Sequence, residues 1–119
     1  MKRKFLLLLT PLLACRVNPA TPTFDIDGRW AYNEVDVGSV MNLTDQNGAI
    51  TGTGSAFSVR SGSDSFQVQG TYTPPQILLQ FVFAKGQTCS YIASLKTGVT
   101  MVGTETCGTN TPTPLNFSR

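Results

Sequence analysis

Histidine is absent from all 119 residues. The side chain most often used to move protons near neutral pH is therefore unavailable, and Ser-His and Cys-His nucleophile pairs are excluded with it. Metal binding is narrowed for the same reason, since three cysteines and the carboxylates are the strong ligands that remain. Charge is scarce as well. Only 13% of residues are Asp, Glu, Lys or Arg, and they form no basic stripe of the kind a phosphate backbone requires, so nucleic acid is set aside as a partner. Tryptophan occurs once, at Trp30. Beyond the N-terminus no stretch keeps a helical period.

What the chain has instead is turn and strand chemistry. Eleven glycines and frequent Ser and Thr suit short strands joined by tight turns, and the length supports one domain. The formal charge of +2 is positive only because of Lys2, Arg3 and Lys4. Those three precede the apolar run Phe5 to Leu9 and Leu12-Leu13, which is too short to span a bilayer and reads as an export signal. Without them, six basic residues stand against seven acidic ones.

The end of that signal, Leu12-Leu13-Ala14-Cys15, resembles the lipobox of bacterial lipoproteins. The resemblance implies cleavage after residue 14 and acylation of Cys15, which would anchor the protein to a lipid membrane as a component of the cell envelope. Such lipoproteins are commonly retained in the inner membrane by an aspartate after the cysteine. Arg16 stands there in this chain, which implies the outer membrane where a cell has two. Residues 15–23 hold the lipidated cysteine and a tether with two prolines, leaving 24–119 as the domain.

Within the domain the clearest feature is Ser65 to Phe83, two strands around Thr73-Pro74-Pro75-Gln76. Centring the turn between the prolines opposes Tyr72 to Ile77, Gly70 to Leu79, Val68 to Phe81 and Phe66 to Phe83, giving one apolar face. Upstream, strands are predicted over Gly28–Tyr32, Ser39–Thr44 and Ala49–Val59, with loops over Asn33–Gly38 and Arg60–Asp64. Asp45-Gln46-Asn47-Gly48 is a turn signal. A four-residue loop opposing Leu43 to Ile50 matches apolar partners better than a two-residue Asn47-Gly48 turn opposing Leu43 to Gly52. A bulge at Gly52-Thr53-Gly54 is expected, because Ile50 and Phe57 can share the inner face only if the strand shifts phase. Downstream, strands over Thr88–Leu95 and Val99–Cys107 turn about Gly98, placing Cys89 opposite Cys107, Tyr91 opposite Glu105 and Leu95 opposite Met101. A last strand covers Leu115–Arg119.

With Cys15 assigned to lipid, Cys89 and Cys107 are an even pair in an exported protein and are expected to form a disulfide. Eight sequential strands with no helical crossover predict an all-β fold, a small antiparallel up-and-down barrel of about eight strands, with a two-sheet sandwich as the alternative. Gly28-Arg29-Trp30, the repeated strand-turn spacing and Arg119 in the closing LNFSR are together similar to the calycin barrels, the lipocalins and avidins. That resemblance implies that Trp30 closes one end of the barrel and that Arg119 packs over it. Trp30, Asn33 and Gly38-Ser39 also resemble the avidin opening. Their spacing is longer, however, and the other tryptophans that enclose biotin are missing, so Asn33 and Ser39 carry over only as loop contacts.

No catalytic set emerges, and no enzymatic activity, cofactor or metal is expected. Glu34, Asp36, Asp64 and Glu105 are the candidate carboxylates, three of them in loops; Glu105 points inward if Tyr91 does. The first expectation is a ligand site for a small apolar molecule, lined by Tyr32, Phe66, Val68, Tyr72, Leu79, Phe81, Tyr91 and Glu105. The second is a module that binds or inhibits an envelope protein through the Asn33–Gly38 or Arg60–Asp64 loop. Lipid-anchored, disulfide-stapled barrels resemble inhibitors of envelope hydrolases, whose signature residues this chain lacks.

Overall fold

The computed structural model describes residues 24–119. The signal, Cys15 and the tether lie outside the described residues. Eight antiparallel strands follow one another in chain order: β1 Gly28–Asn33, β2 Val37–Gln46, β3 Ala49–Ser58, β4 Gly62–Thr73, β5 Gln76–Phe83, β6 Thr88–Thr97, β7 Thr100–Cys107 and β8 Thr113–Ser118. Each pairs with the next, and β1 meets β8 at Ala31 and Ser118, so the sheet closes on itself. The alternative of two packed sheets does not apply. Closure removes the free edges that a small open sheet would expose to other chains.

The central hairpin has the expected register throughout, from Phe66 opposite Phe83 to Tyr72 opposite Ile77. The β6–β7 pair keeps its expected register from Cys89 opposite Cys107 through Tyr91 opposite Glu105 to Leu95 opposite Met101, then shifts by one residue next to the turn, where Thr97 pairs with Thr100. In both cases alternation put the large apolar residues on one face, and a one-residue slip would have turned them to solvent.

Two expectations about β2 and β3 are corrected. The connection is the two-residue Asn47-Gly48 turn, with Leu43 opposite Gly52 and Asp45 opposite Ile50. Both turn residues have positive φ, 57° and 93°, the geometry whose twist matches that of paired strands. Turn chemistry outweighed the matching of apolar partners. Leu43 folds over the space Gly52 leaves, its Cδ2 lying 3.1 Å from where a Cβ would sit. Asp45 spends its polarity locally by accepting from the Gly48 N–H at 2.8 Å.

The second correction is the bulge, which does not occur. The β3–β4 ladder runs in step from Ala49 to Ser58, and Phe57 is 50% exposed. Gly52 and Gly54 instead occupy inward positions, with the Phe66 ring lying across Gly54. The other strand boundaries differ by a few residues. β2 begins at Val37, β4 at Gly62 and β8 at Thr113, so each flanking loop is shorter than expected.

One half of the barrel is solid. Trp30, Met41, Leu43, Ile50, Val68, Tyr72, Ile77, Leu79, Ala93, Leu95 and Met101 are all buried there. Residues 24–27 cross that end and close it. The Tyr72 hydroxyl donates to the Phe24 carbonyl at 2.9 Å, Trp30 Nε1 to the Ile26 carbonyl at 2.9 Å, and the Asp45 N–H to Asp27 Oδ1 at 2.6 Å. Arg119 locks the segment in place. Its guanidinium lies 4.2 Å from the Trp30 ring centroid and donates to the carbonyls of Gly98 at 2.8 Å, Asp27 at 2.6 Å and Asp25.

Candidate functional site

The other end, where β1–β2, β3–β4, β5–β6 and β7–β8 connect, is an open cup of about 570 Å³. Its size falls within the range of small-molecule sites, about 300–1,000 Å³. Aromatic rings supply its large side chains. Tyr32 enters from β1, Phe66 from β4, Phe81 and Phe83 from β5, and Phe117 from β8. Rings on neighbouring strands meet there, since every other residue of each strand points inward. Phe66 lies 5.1 Å from both Phe81 and Phe83, and Tyr32 lies 6.3 Å from Phe117, centroid to centroid. Ala56 is among the small residues that line the cup with them, together with Gly38, Ser39 and Gly62.

Tyr91 lies beneath this wall. It is fully buried, stacked 5.8 Å from Phe81 and edge-on 5.6 Å from Phe117, and its hydroxyl donates to the Leu115 carbonyl at 2.7 Å. Burial and the nearby Glu105 charge push its phenol well above the ordinary range. Tyr32 is displaced in the same direction, to about 12, by burial, by its hydrogen bond to Glu34, and by the Glu34 and Glu105 charges. Both phenols are therefore neutral donors at physiological pH.

The strands turn two acidic side chains toward the cup, Asp64 near the start of β4 and Glu105. Glu105 sits on β7 opposite Tyr91, half-buried, and burial raises its carboxyl above the ordinary value. Beside it Cys89 and Cys107 form a disulfide, Cα atoms 4.1 Å apart, within the β6–β7 pair. The carboxylate and both sulfurs lie within 4.8 Å of one another. With the sulfurs bonded to each other, the carboxylate is what this cluster presents to the cup. Asp64, Lys85, Ser39 and Gln87 also line it, and the Lys85 N–H donates to Asp64 Oδ2 at 3.2 Å.

The expected ligand-lining residues thus divide. Tyr32, Phe66, Phe81 and Glu105 meet at the cup, Tyr91 packs under it, and Val68, Tyr72 and Leu79 belong to the solid half. Alternation fixes which face a residue takes but not its height along the barrel axis, so inward residues of both halves look alike in sequence. Phe83, Ala56 and Phe117 escaped notice as site residues. The hairpin register already put Phe83 beside Phe66, and that signal was available. Of the avidin-like loop contacts, Ser39 lines the cup, while Asn33 pairs with Gly38 at the end of β1.

Around the mouth the loops carry exposed apolar side chains. Val35 is 95% exposed and Val59 59%, and the Val59 N–H donates to the Asp36 carbonyl at 3.0 Å, tying the two loops together.

The fold defines a class of molecule, a closed eight-stranded barrel plugged at one end and open at the other. Searches against protein-family models, curated proteins and solved structures each find no match to this chain.

Proposed function

We propose that this is a lipid-anchored binding protein of the cell envelope, without enzymatic activity, that holds a small amphipathic molecule in its calycin-like barrel. The observation that carries this reading is the aromatic cup of about 570 Å³ above a solid half-barrel. A barrel needing only a stable core has no use for an empty upper half, because unfilled space between apolar side chains forfeits packing contacts. The lipobox-like Leu12-Leu13-Ala14-Cys15 supports the anchor, and Arg16 supports the outer membrane. Phe24, the first described residue, lies at the plugged end. An anchor at Cys15 would therefore join the domain at the end opposite the mouth of the cup.

An apolar, environment-sensitive dye tests the cup. The protein takes up one dye per chain, and Ala56→Trp, which projects an indole into the cup, abolishes uptake. Thr53→Trp, on the outer face of the same strand, leaves it intact. Equal uptake by both variants contradicts the site.

A second reading, docking on an envelope protein, is favoured by Val35, Phe57 and Val59, all exposed on the β1–β2 and β3–β4 side of the mouth. Crosslinking from Val35→Cys in intact cells then captures one reproducible partner, and Val59→Asp removes it. Capture of no partner contradicts this second reading and leaves the cup untouched.

A further inference from the structure

The wall of the cup selects for charge. Glu105 is half-buried, and burial alone displaces its carboxyl, with no hydrogen bond or neighbouring cation contributing. Among the described residues no hydrogen bond or ion pair reaches its carboxylate, and the groups nearest to it have no proton to give it. The Tyr91 hydroxyl is committed to the Leu115 carbonyl, the Tyr32 hydroxyl to Glu34, and the adjacent sulfurs are bonded as a disulfide without S–H. Lys85, exposed in the β5–β6 loop, is the one cation among the described residues lining the cup, against the two carboxylates of Asp64 and Glu105. A buried charge is costly until something pairs with it.

Three classes of occupant can be weighed against that arrangement. An anionic one brings its charge against Glu105, with Glu34 beside Tyr32 and Asp64 on the rim adding to the repulsion. A neutral apolar one displaces the water that still solvates Glu105 and leaves the carboxylate bare. A cationic one supplies the missing partner. It also meets the ring faces of Tyr32, Phe66, Phe81, Phe83 and Phe117, and the negative face of an aromatic ring attracts a cation.

Building on the cup as a ligand site, we propose that its occupant is a small organic cation, an ammonium group on an aromatic or aliphatic body. The ammonium pairs with Glu105, and the body lies among the rings. Carboxylate and rings come from β1, β4, β5, β7 and β8, so the selectivity is built into the rigid barrel wall rather than the loops.

Three probes of one shape test this: 4-phenylbutylamine, the neutral 4-phenylbutanol and the anionic 4-phenylbutyrate, titrated calorimetrically into the full chain at pH 8. The amine is expected to bind at least about tenfold more tightly than the alcohol, and the carboxylate most weakly. In Glu105→Gln, which keeps the shape of the side chain and whose folding is checked by circular dichroism, the amine falls to within about twofold of the alcohol, whose own affinity does not fall. As pH is lowered, the amine loses affinity as Glu105 takes up its proton. The charged and titratable groups around it are Tyr32, Glu34, Asp64, Lys85 and Tyr91, and the Gln variant isolates the contribution of Glu105 from theirs. Equal binding of amine and alcohol, or a preference that survives in Glu105→Gln, overturns the cation and leaves the cup standing. Binding of none of the three probes overturns both.

Discussion

Glu105 and Arg119 are opposites in the same barrel, one charge without a partner and one satisfied on every side. Glu105 has a folded-state pKa above its unfolded value, so between those two values the folded protein holds more protons than the unfolded one. Stability from this group is therefore greatest at low pH and falls as pH rises through that window. Glu105→Gln is expected to stabilise the apoprotein at neutral pH by about 1 kcal/mol, the scale of an unpaired, partly buried polar group. It should also remove the fall in stability as pH rises through that window; denaturant midpoints between pH 4 and pH 8, spanning roughly the carboxylate range, measure both effects. The same sign holds for Tyr32, raised from 10.0 to about 12. Stability drops as pH climbs between those values, and Tyr32→Phe reduces the drop.

Arg119→Ala removes three charge-assisted hydrogen bonds and the stack on Trp30. A loss of about 2–3 kcal/mol is expected. Arg119→Lys restores only part of it, because an ammonium cannot reproduce the planar fork. Trp30→Phe, which forfeits the Nε1 bond to Ile26, destabilises in the same region. A Trp30→Phe protein as stable as the parent would contradict the plug.

At the scale of elements, the hairpins stabilise by local closure. The disulfide ties β6 to β7 across 18 residues of sequence, and the loop-entropy model gives about 3 kcal/mol for a closure of that size. A Cys89→Ser, Cys107→Ser double variant should lose roughly that much in denaturant titration, and an unchanged midpoint would count against it. The β4–β5 pair depends on close backbone approach. A Cβ on Gly70 would clash with the Leu78 carbonyl and lie 2.8 Å from Leu79 Cα, so Gly70→Ala is expected to cost about 1–3 kcal/mol.

These pairs also show what could be read without coordinates. The β4–β5 and β6–β7 registers were legible because each hairpin is short and its apolar residues alternate strictly, leaving one register that buries them. The β2–β3 turn was misjudged because apolar matching was weighed above the twist preference of Asn47-Gly48. The β3 bulge was misjudged because Phe57 was assumed to be core. Near the mouth of a barrel an aromatic can stay half exposed, and inward glycines can sit beneath neighbouring rings. The cup itself was only partly legible. Inward-facing residues could be listed, but which of them meet at one height depends on strand tilt and stagger, and sequence pattern carries neither.

For the whole molecule, the proposed anchor at Cys15 and the cup would together make a directional device. Labelled Cys15 is the direct check on the anchor: a clickable fatty acid should incorporate into the parent, and Cys15→Ser should abolish both the label and sedimentation with membranes. Orientation follows from the plug. The ten residues of β2, tilted as barrel strands are, separate the Asn47 turn from the mouth by roughly 25 Å. A fluorophore at Asn47 should thus be quenched by brominated lipid and one at Val35 spared. Equal quenching would contradict a mouth that faces away from the bilayer.

The most direct test of the central claim is a native mass spectrum of the protein purified from its own cells, recorded beside a denatured one. A small-molecule mass that is present in the native spectrum and lost on denaturation, and absent from Ala56→Trp, is the result this account predicts. Bare protein in both spectra, together with no uptake of the apolar dye, would contradict it and leave a barrel that acts through its surface.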